Sequence, residues 1–196
     1  GGHVDVVADA SAWTPAVEAV VARAGHLHVM GTLLVRQEVW AVIERALPII
    51  KARGGSVSLD PNLRKELGAD AAAAARLAAM VRAADLILPS GDELYIAARL
   101  DPSVGETAAL QKLFGLGVRE VALKRGAAGS SAIFPGGIRI DAPAFVVDEV
   151  DPTGAGDCFG GAYVACRRLG MAPEAALTYA NAAGARNVTM RGPMEG

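Results

Sequence analysis

DPTGAGDCFGGAYVAC, residues 151–166, sets four glycines around one carboxylate, Asp157, where a helical pattern begins. Gly154-Ala155-Gly156 reads as a turn entering that helix. Glycine reaches positive φ and lets a ligand approach the backbone closely. The amides of a first helical turn lack partners within the helix, so the turn favours an anion. A plain helix start, its small residues permitting tight packing, has the same spacing, and both readings stay open at this level. Gly154, Gly156 and Gly160 also outline a dinucleotide loop, GxGxxxG. Against that, Asp157 would aim negative charge at a pyrophosphate, and helix-forming residues 172–190 follow instead of a strand with a ribose-binding acid. The sequence also lacks the Walker A lysine pattern.

Outward from this loop the chain alternates between strand and helix patterns. HLHVMG (26–31) reads as a short strand, and RQEVWAVIERALPIIKARGG (36–55) as a helix with a kink or break predicted at Pro48. SVSLD (56–60) is a second strand, ADAAAAARLAAMVRAAD (69–85) is helical by propensity, and LILP (86–89) is a buried strand. SGDELYIAARL (90–100) and GETAALQKLFGLG (105–117) are helices, and VREVALKRG (118–126) is a strand. An antiparallel pair, SSAIF and GIRIDA, comes next, and helices over 155–170 and 172–190 close the chain. The alternation over 26–126 specifies βαβ crossovers, hence an α/β fold with a mostly parallel sheet and helices on both faces. Ligands of such sheets bind beyond the carboxyl ends of the strands. The informative residues gather there: Gly31 and the stretches 60–64, 90–93, 124–129 and 151–157.

Composition narrows the partners. The 196 residues are 52% hydrophobic and carry a net charge of −2, from 19 basic and 21 acidic side chains without a basic block, which argues against nucleic acid. No apolar run approaches the roughly 20 residues of a membrane helix, and no charged-then-apolar leader is visible, so neither membrane nor secretion is expected. Cys158 and Cys166 lie eight positions apart on one predicted helix, too far for a disulfide. Both are expected as buried thiols in a reducing cytoplasm.

Each chemical candidate has a plain alternative. Asp157 in a first helical turn stabilises the dipole whatever else it does, or it orients an attacking hydroxyl and accepts its proton during phosphoryl transfer. Ser90-Gly91-Asp92-Glu93 fits a capping box, or Glu93 serves Mg²⁺ from its outer shell. Asp60-Pro61-Asn62-Leu63-Arg64 is a turn after a strand, or Arg64 meets a planar anion. Lys124-Arg125 before Gly126 and Gly129 is solvated strand-end charge, or part of the site. His26 and His28 share one face of a strand with no third ligand nearby and read as structural.

Taken together, DPTGAGDCFGGAY resembles the second signature of the ribokinase-like (PfkB) carbohydrate kinases, D-T-x-G-A-G-D-x-F-x-G. LDPNLR (59–64), LPSGDEL (88–94), LKRGAAGS (123–130) and YANAAGA (179–185) are similar to further family motifs, in order, across residues 26–192. The resemblance implies a Rossmann-like three-layer αβα sandwich and an ATP-dependent, Mg²⁺-requiring sugar kinase. By the same resemblance Gly154, Ala155 and Gly156 form the anion hole and Asp157 is the base. Gly126 and Gly129 lie under the ATP phosphates, with Ser90 and Lys124 beside them. Asn181 borders the adenine, and Glu93 organises Mg²⁺ through water. Asp151, Thr153, Asn187 and Gly192 resemble a monovalent-cation loop that takes K⁺. DPNLRKEL and RGPMEG are similar to kinases of 2-keto-3-deoxygluconate or of ketohexoses such as tagatose, with fructokinase-like and ribokinase-like substrates left open. That implies a substrate side made of Gly31, Asn62 and Arg64, with Arg64 near a carboxylate.

The chain departs from the pattern in three ways. Ser90 stands where the family has Asn, and Pro152 replaces a threonine. The family's N-terminal section, with its lid and sugar motif, has no counterpart, so residues 1–25 are read as the return segment from a lid and 26–196 as the catalytic core. On this reading the chain alone is a poor catalyst, and a homodimer is expected only where a lid is present. Two other readings remain: a non-catalytic nucleotide-binding module and an NAD(P)-dependent dehydrogenase.

Overall fold

Six strands, β1 (His26–Met30), β2 (Ser56–Asp60), β3 (Leu86–Ile87), β4 (Glu120–Lys124), β5 (Ser130–Ile133) and β6 (Arg139–Ala142), form one sheet in chain order. The structure is a computed structural model that describes residues 13–62 and 70–192. Strands β1 to β4 pair in parallel, and β4, β5 and β6 pair antiparallel. The mostly parallel sheet and its closing antiparallel pair are both as the sequence pattern specified.

Seven α-helices accompany the strands: α1 (Pro15–Val21), α2 (Gln37–Ala52), α3 (Ala71–Ala83), α4 (Glu93–Ala98), α5 (Glu106–Gly115), α6 (Ala155–Arg168) and α7 (Pro173–Val188). The period of two along the strands decides which helix meets which face. Ile87, Val121 and Leu123 join Val57 and Leu59 in a core with Ile43 of α2, Met80 of α3, Leu94 of α4 and Leu113 of α5. Their neighbours Leu86, Leu88, Ala122 and Ala132 point the other way and pack on Phe159 and Tyr163 of α6 and on Leu177 of α7. The result is three layers, with the crossover helices on one face and the closing pair on the other. Each fully buried large aliphatic side chain contributes about 1.5–3 kcal/mol, so neither face is held by one residue.

Tyr163 is fully buried, and its hydroxyl donates to Glu120, which also accepts from Arg167 Nε at 2.9 Å. Burial and the neighbouring Glu120 carboxylate push the phenol well above its usual range. A buried phenol without that acceptor would carry an unsatisfied hydroxyl.

Two expectations need correction. Of the kink or break expected at Pro48, the break does not occur: α2 continues through the proline. Ile43, Ala46 and Ile50 are buried on either side of the proline, and this packing outweighs the roughly 3 kcal/mol that an interior proline costs. Cys158 and Cys166 are half-buried free thiols instead of core residues, because α6 buries the stripe Phe159, Gly160 and Tyr163 and leaves the cysteines beside it. Helix α1 was not foreseen. Thr14 caps it by accepting from Val17 N at 3.3 Å, and Val21 packs against Ala46 and Ile50.

Candidate active site

Strands β1, β2 and β4 all end on the same side of the sheet, and the turn before α6 lies over those ends. Gly154 is the N-cap of α6 at φ 87°, a left-handed conformation that glycine adopts without strain. Ala155 N–H donates to Pro152 O at 3.2 Å and closes the turn. Ala155 and Gly156 face a cavity of about 500 Å³. Ser90, Lys124, Gly126, Gly129 and Asn181, five of the six residues expected around a nucleotide, line that same cavity. The turn that decides the fold therefore fronts open space.

Asn181, on α7, is 9% exposed. Its Oδ1 accepts from Ser130 Oγ at 2.8 Å, and its Nδ2 donates to the carbonyls of Ala142 and Pro143 at 3.3 and 2.9 Å. It thus ties the segment leaving β6 to α7. Gly129 has φ 89°, and a Cβ there would stand 2.1 Å from Ala142 O, so the same crossing requires glycine. Gly126 is exposed at φ 55°.

The cavity has a wall that sequence reasoning missed. Phe145, Val146 and Val147 line it, although all three are substantially exposed. They lie in irregular backbone between β6 and α6, where neither helical nor strand periodicity marks a buried face. The only signal was an apolar run, AFVV (144–147), with no secondary structure to bury it.

Asp157 is exposed in the first turn of α6. Asn62 Nδ2 donates to its Oδ1 at 3.2 Å, across 95 residues of sequence. Two candidates read separately from the sequence, a substrate residue and a base, are thereby joined. Asn62 itself is held by its N–H, which donates 3.2 Å to Asp60 Oδ1, and it adopts φ 38°. Gly31 is buried against the same turn. A Cβ on it would lie 1.8 Å from Pro61 O, so glycine is what lets the β1 end pass under the turn. Arg64 lies outside the described residues.

Behind the cavity wall, Lys124 Nζ pairs with Asp60 Oδ2 at 2.7 Å, with Asp60 1% exposed. Burial pushes the Asp60 carboxyl up to about 6 against the opposing pull of Lys124, and Glu93 and Asp157 add to the rise. His28 faces the same group of charges: burial, then Lys124, lowers its pKa, and Asp157 acts in the opposite sense. Its Nδ1 is within 2.7 Å of Ser58 Oγ, and His26 bridges Ser56 and Ser58 at 2.8 Å each.

Glu93 begins α4 and is anchored by Ser90, whose N–H and Oγ–H donate to Oε2 at 2.7 and 2.8 Å. Only one half of a capping box forms, because Glu93 N donates to the Ser90 carbonyl at 3.0 Å and not to its hydroxyl. Asp151 gathers the residues expected around a monovalent cation. Its Oδ1 accepts from Thr153 N at 2.9 Å and its Oδ2 from Gly192 N at 3.0 Å. Hydrogen bonds from Thr153, then Gly192, hold its carboxyl below the usual range. The Asp151 N–H donates to Val188 O at 3.1 Å, next to the buried Asn187. Among the described residues no three His, Cys, Asp or Glu side chains converge as a metal cluster, and no helix is long and apolar enough to cross a membrane.

A family model described as pfkB family carbohydrate kinase matches residues 4–196. A fructokinase of Vibrio alginolyticus is 30% identical over 175 residues, covering 86% of this chain and 56% of that protein. A 2-dehydro-3-deoxygluconokinase of Thermoproteus tenax is 36% identical over 141 residues, covering 70% of this chain and 42% of that protein. A crystal structure described as a ribokinase II from E. coli, in complex with ATP and Mg²⁺, superposes with a TM-score of 0.88 at 38% identity, over 96% of this chain and 59% of that one. The chain spans about half the length of the curated relatives it matches.

Proposed function

The chain belongs to the pfkB family of carbohydrate kinases, and from that premise we propose that it forms the phosphoryl-transfer core of an ATP-dependent kinase acting on a hydroxyl of a ketose or keto-sugar acid. The observation that carries the reading is a cavity lined by Lys124 and by Ala155 and Gly156 of the first turn of α6, with Asp157, steered by Asn62, next in that same turn. The two named relatives, a fructokinase and a 2-dehydro-3-deoxygluconokinase, support this substrate class.

The residues present fit a nucleotide. A cavity of about 500 Å³ lies within the range of roughly 300–1,000 Å³ usual for small-molecule sites. Its apolar wall at Phe145, Val146 and Val147 suits a base, and Asn181 stands at that side. Gly126 and Gly129 present backbone to the phosphates, while Lys124 and the first turn of α6 supply positive potential where charge develops, the Ala155 amide being already bonded to Pro152 O. Asp157 orients the substrate hydroxyl and takes its proton, a modest demand because phosphoryl transfer rests on positioning and charge stabilisation. The Asn62 amide fixes the carboxylate for that task.

Glu93, anchored by Ser90, is the residue suited to hold Mg²⁺ through water, as an oxygen donor at the phosphate end. Mg²⁺, when bound, neutralises charge on the nucleotide phosphates. The Asp151 loop offers a carboxylate, held in place by the Thr153 and Gly192 N–H groups, as a hard oxygen ligand of the kind that would suit K⁺. It sits just before the anion turn, so ordering the loop orders the turn.

An assay of ADP release across ketoses, aldoses and keto-deoxy acids, with and without K⁺, tests the reading in this chain and in any longer product of its gene. Turnover of a ketose or keto-deoxy acid is the expected result. Nucleotide binding with no phosphorylation of any substrate in either protein would establish a binding module instead.

A further inference from the structure

Asp60 closes β2 at the centre of the site, yet nothing in the proposed chemistry uses it. Its carboxylate is 1% exposed and sits behind Lys124, whose side chain lines the cavity. Both of its oxygens point at groups that reach the first turn of α6. Oδ2 holds Lys124 Nζ at 2.7 Å, and a Cβ on Gly156 would lie 3.6 Å from that nitrogen. Oδ1 accepts from Asn62 N at 3.2 Å, and the Asn62 amide continues to Asp157. Gly160 of α6 also packs near the carboxylate, a Cβ there lying 3.4 Å from Oδ2, an ordinary contact. One buried group thus fixes the cation on the phosphate side and the carboxylate on the acceptor side.

A buried carboxylate is expensive unless paired and hydrogen-bonded, and its removal from a pair leaves the partner's charge uncompensated. The lysine is also placed unusually for a ligand-binding cation, because its counter-ion stands behind it and damps the field it projects into the cavity. A free ammonium at that position would draw phosphate more strongly. Here strength of attraction is exchanged for a fixed position.

Resting on the kinase reading above, we propose that Asp60 is a positioning residue that acts through Lys124. It pins the ammonium beside residues 154–156, where it meets the phosphate in transfer, and restrains it from tightening on the nucleotide beforehand.

The test compares Asp60→Asn, Lys124→Met and the double variant, reading kcat, KM for ATP, melting temperature, and calorimetric binding of the Mg²⁺ complex of a non-hydrolysable ATP analogue. Asp60→Asn should lower kcat by about 10²-fold, the scale of a misplaced catalytic geometry. At the same time it should bind the analogue about threefold more tightly, since a neutral neighbour no longer offsets the lysine. Lower kcat with tighter ground-state binding marks lost positioning, whereas a residue that only supports the fold loses both together. In the double variant the tighter binding should vanish and kcat should match that of Lys124→Met within about twofold.

Unchanged or weaker analogue binding in Asp60→Asn overturns the proposal, as does a kcat within twofold of wild type. If Asp60→Asn does not fold, the double variant decides. It replaces the ion pair with a neutral one of similar size, a change proteins commonly tolerate. It should bind the analogue more weakly than wild type, and wild-type affinity in it overturns the proposal. If the wild-type protein phosphorylates no sugar, the kinase reading falls, and the binding arm alone still supports or overturns this one.

Discussion

Asp157 owes its direction to a neighbour remote in sequence. Asn62 donates to it at 3.2 Å, so removing the carboxylate charge and removing its guide should have different signatures. Asp157→Asn should cut kcat by about 10³-fold, within the range of a positioned general base, with nucleotide affinity by calorimetry unchanged. Gly31→Ala acts at the other end of the same turn. Its Cβ would lie 1.8 Å from Pro61 O, and overpacking of this kind costs about 1–3 kcal/mol. A lowered melting temperature and a reduced kcat are expected together, because Pro61 and Asn62 move as one. Gly154 to Asp157 were legible in the sequence because a turn, a helix start and a carboxylate within four residues form a local pattern. The Asn62–Asp157 and Asp60–Lys124 pairings were not, since spacing along the chain carries no information about contacts across 95 and 64 residues.

Elements respond as units. Asn181 ties α7 to Ser130 of β5 and to the carbonyls of Ala142 and Pro143. Asn181→Ala should cost about 1–3 kcal/mol for the polar groups it strands and raise KM for ATP, by loosening the segment that carries Phe145 to Val147. Chemical denaturation and steady-state kinetics check the two effects. Strands β1 and β2 are stapled by His26, whose pKa burial, then Arg168, lowers from 6.5 to about 4. The unfolded chain therefore binds a proton between pH 6.5 and about 4 that the folded chain refuses, and stability falls as pH falls through that window. Melting of wild type against His26→Gln should show the wild type losing its advantage over that interval, whatever the other carboxylates do. Helix α2 shows why propensity misled at Pro48: the penalty is local, and the compensation from Ile43, Ala46 and Ile50 is tertiary. The apolar wall at residues 145–147 escaped notice for the converse reason, as irregular backbone leaves no period to read.

At the scale of the molecule, the order of strands and helices was readable because βαβ alternation leaves few topologies, and the sheet follows it strand by strand. What alternation did not specify was the allocation of helices to faces. The Asp151 loop, proposed above for K⁺, draws on both ends of the closing helices, Asp151 and Thr153 before α6 and Gly192 after α7. Asp151→Ala should abolish any stimulation of turnover by K⁺ and also lower the K⁺-free rate, as a salt titration of the ADP-release rate will read. In that variant the Thr153 and Gly192 amides lose the carboxylate that holds the loop before the α6 turn. The allocation of faces has a practical corollary. Helices α2, α3 and α5 share a core that excludes the residues of α6 and α7. Random mutagenesis confined to their outer surfaces should therefore sample expression and solubility with little selection on chemistry, whereas the same diversity on α6 would sort variants by turnover. The protein offers an engineer one side to decorate and one to leave alone.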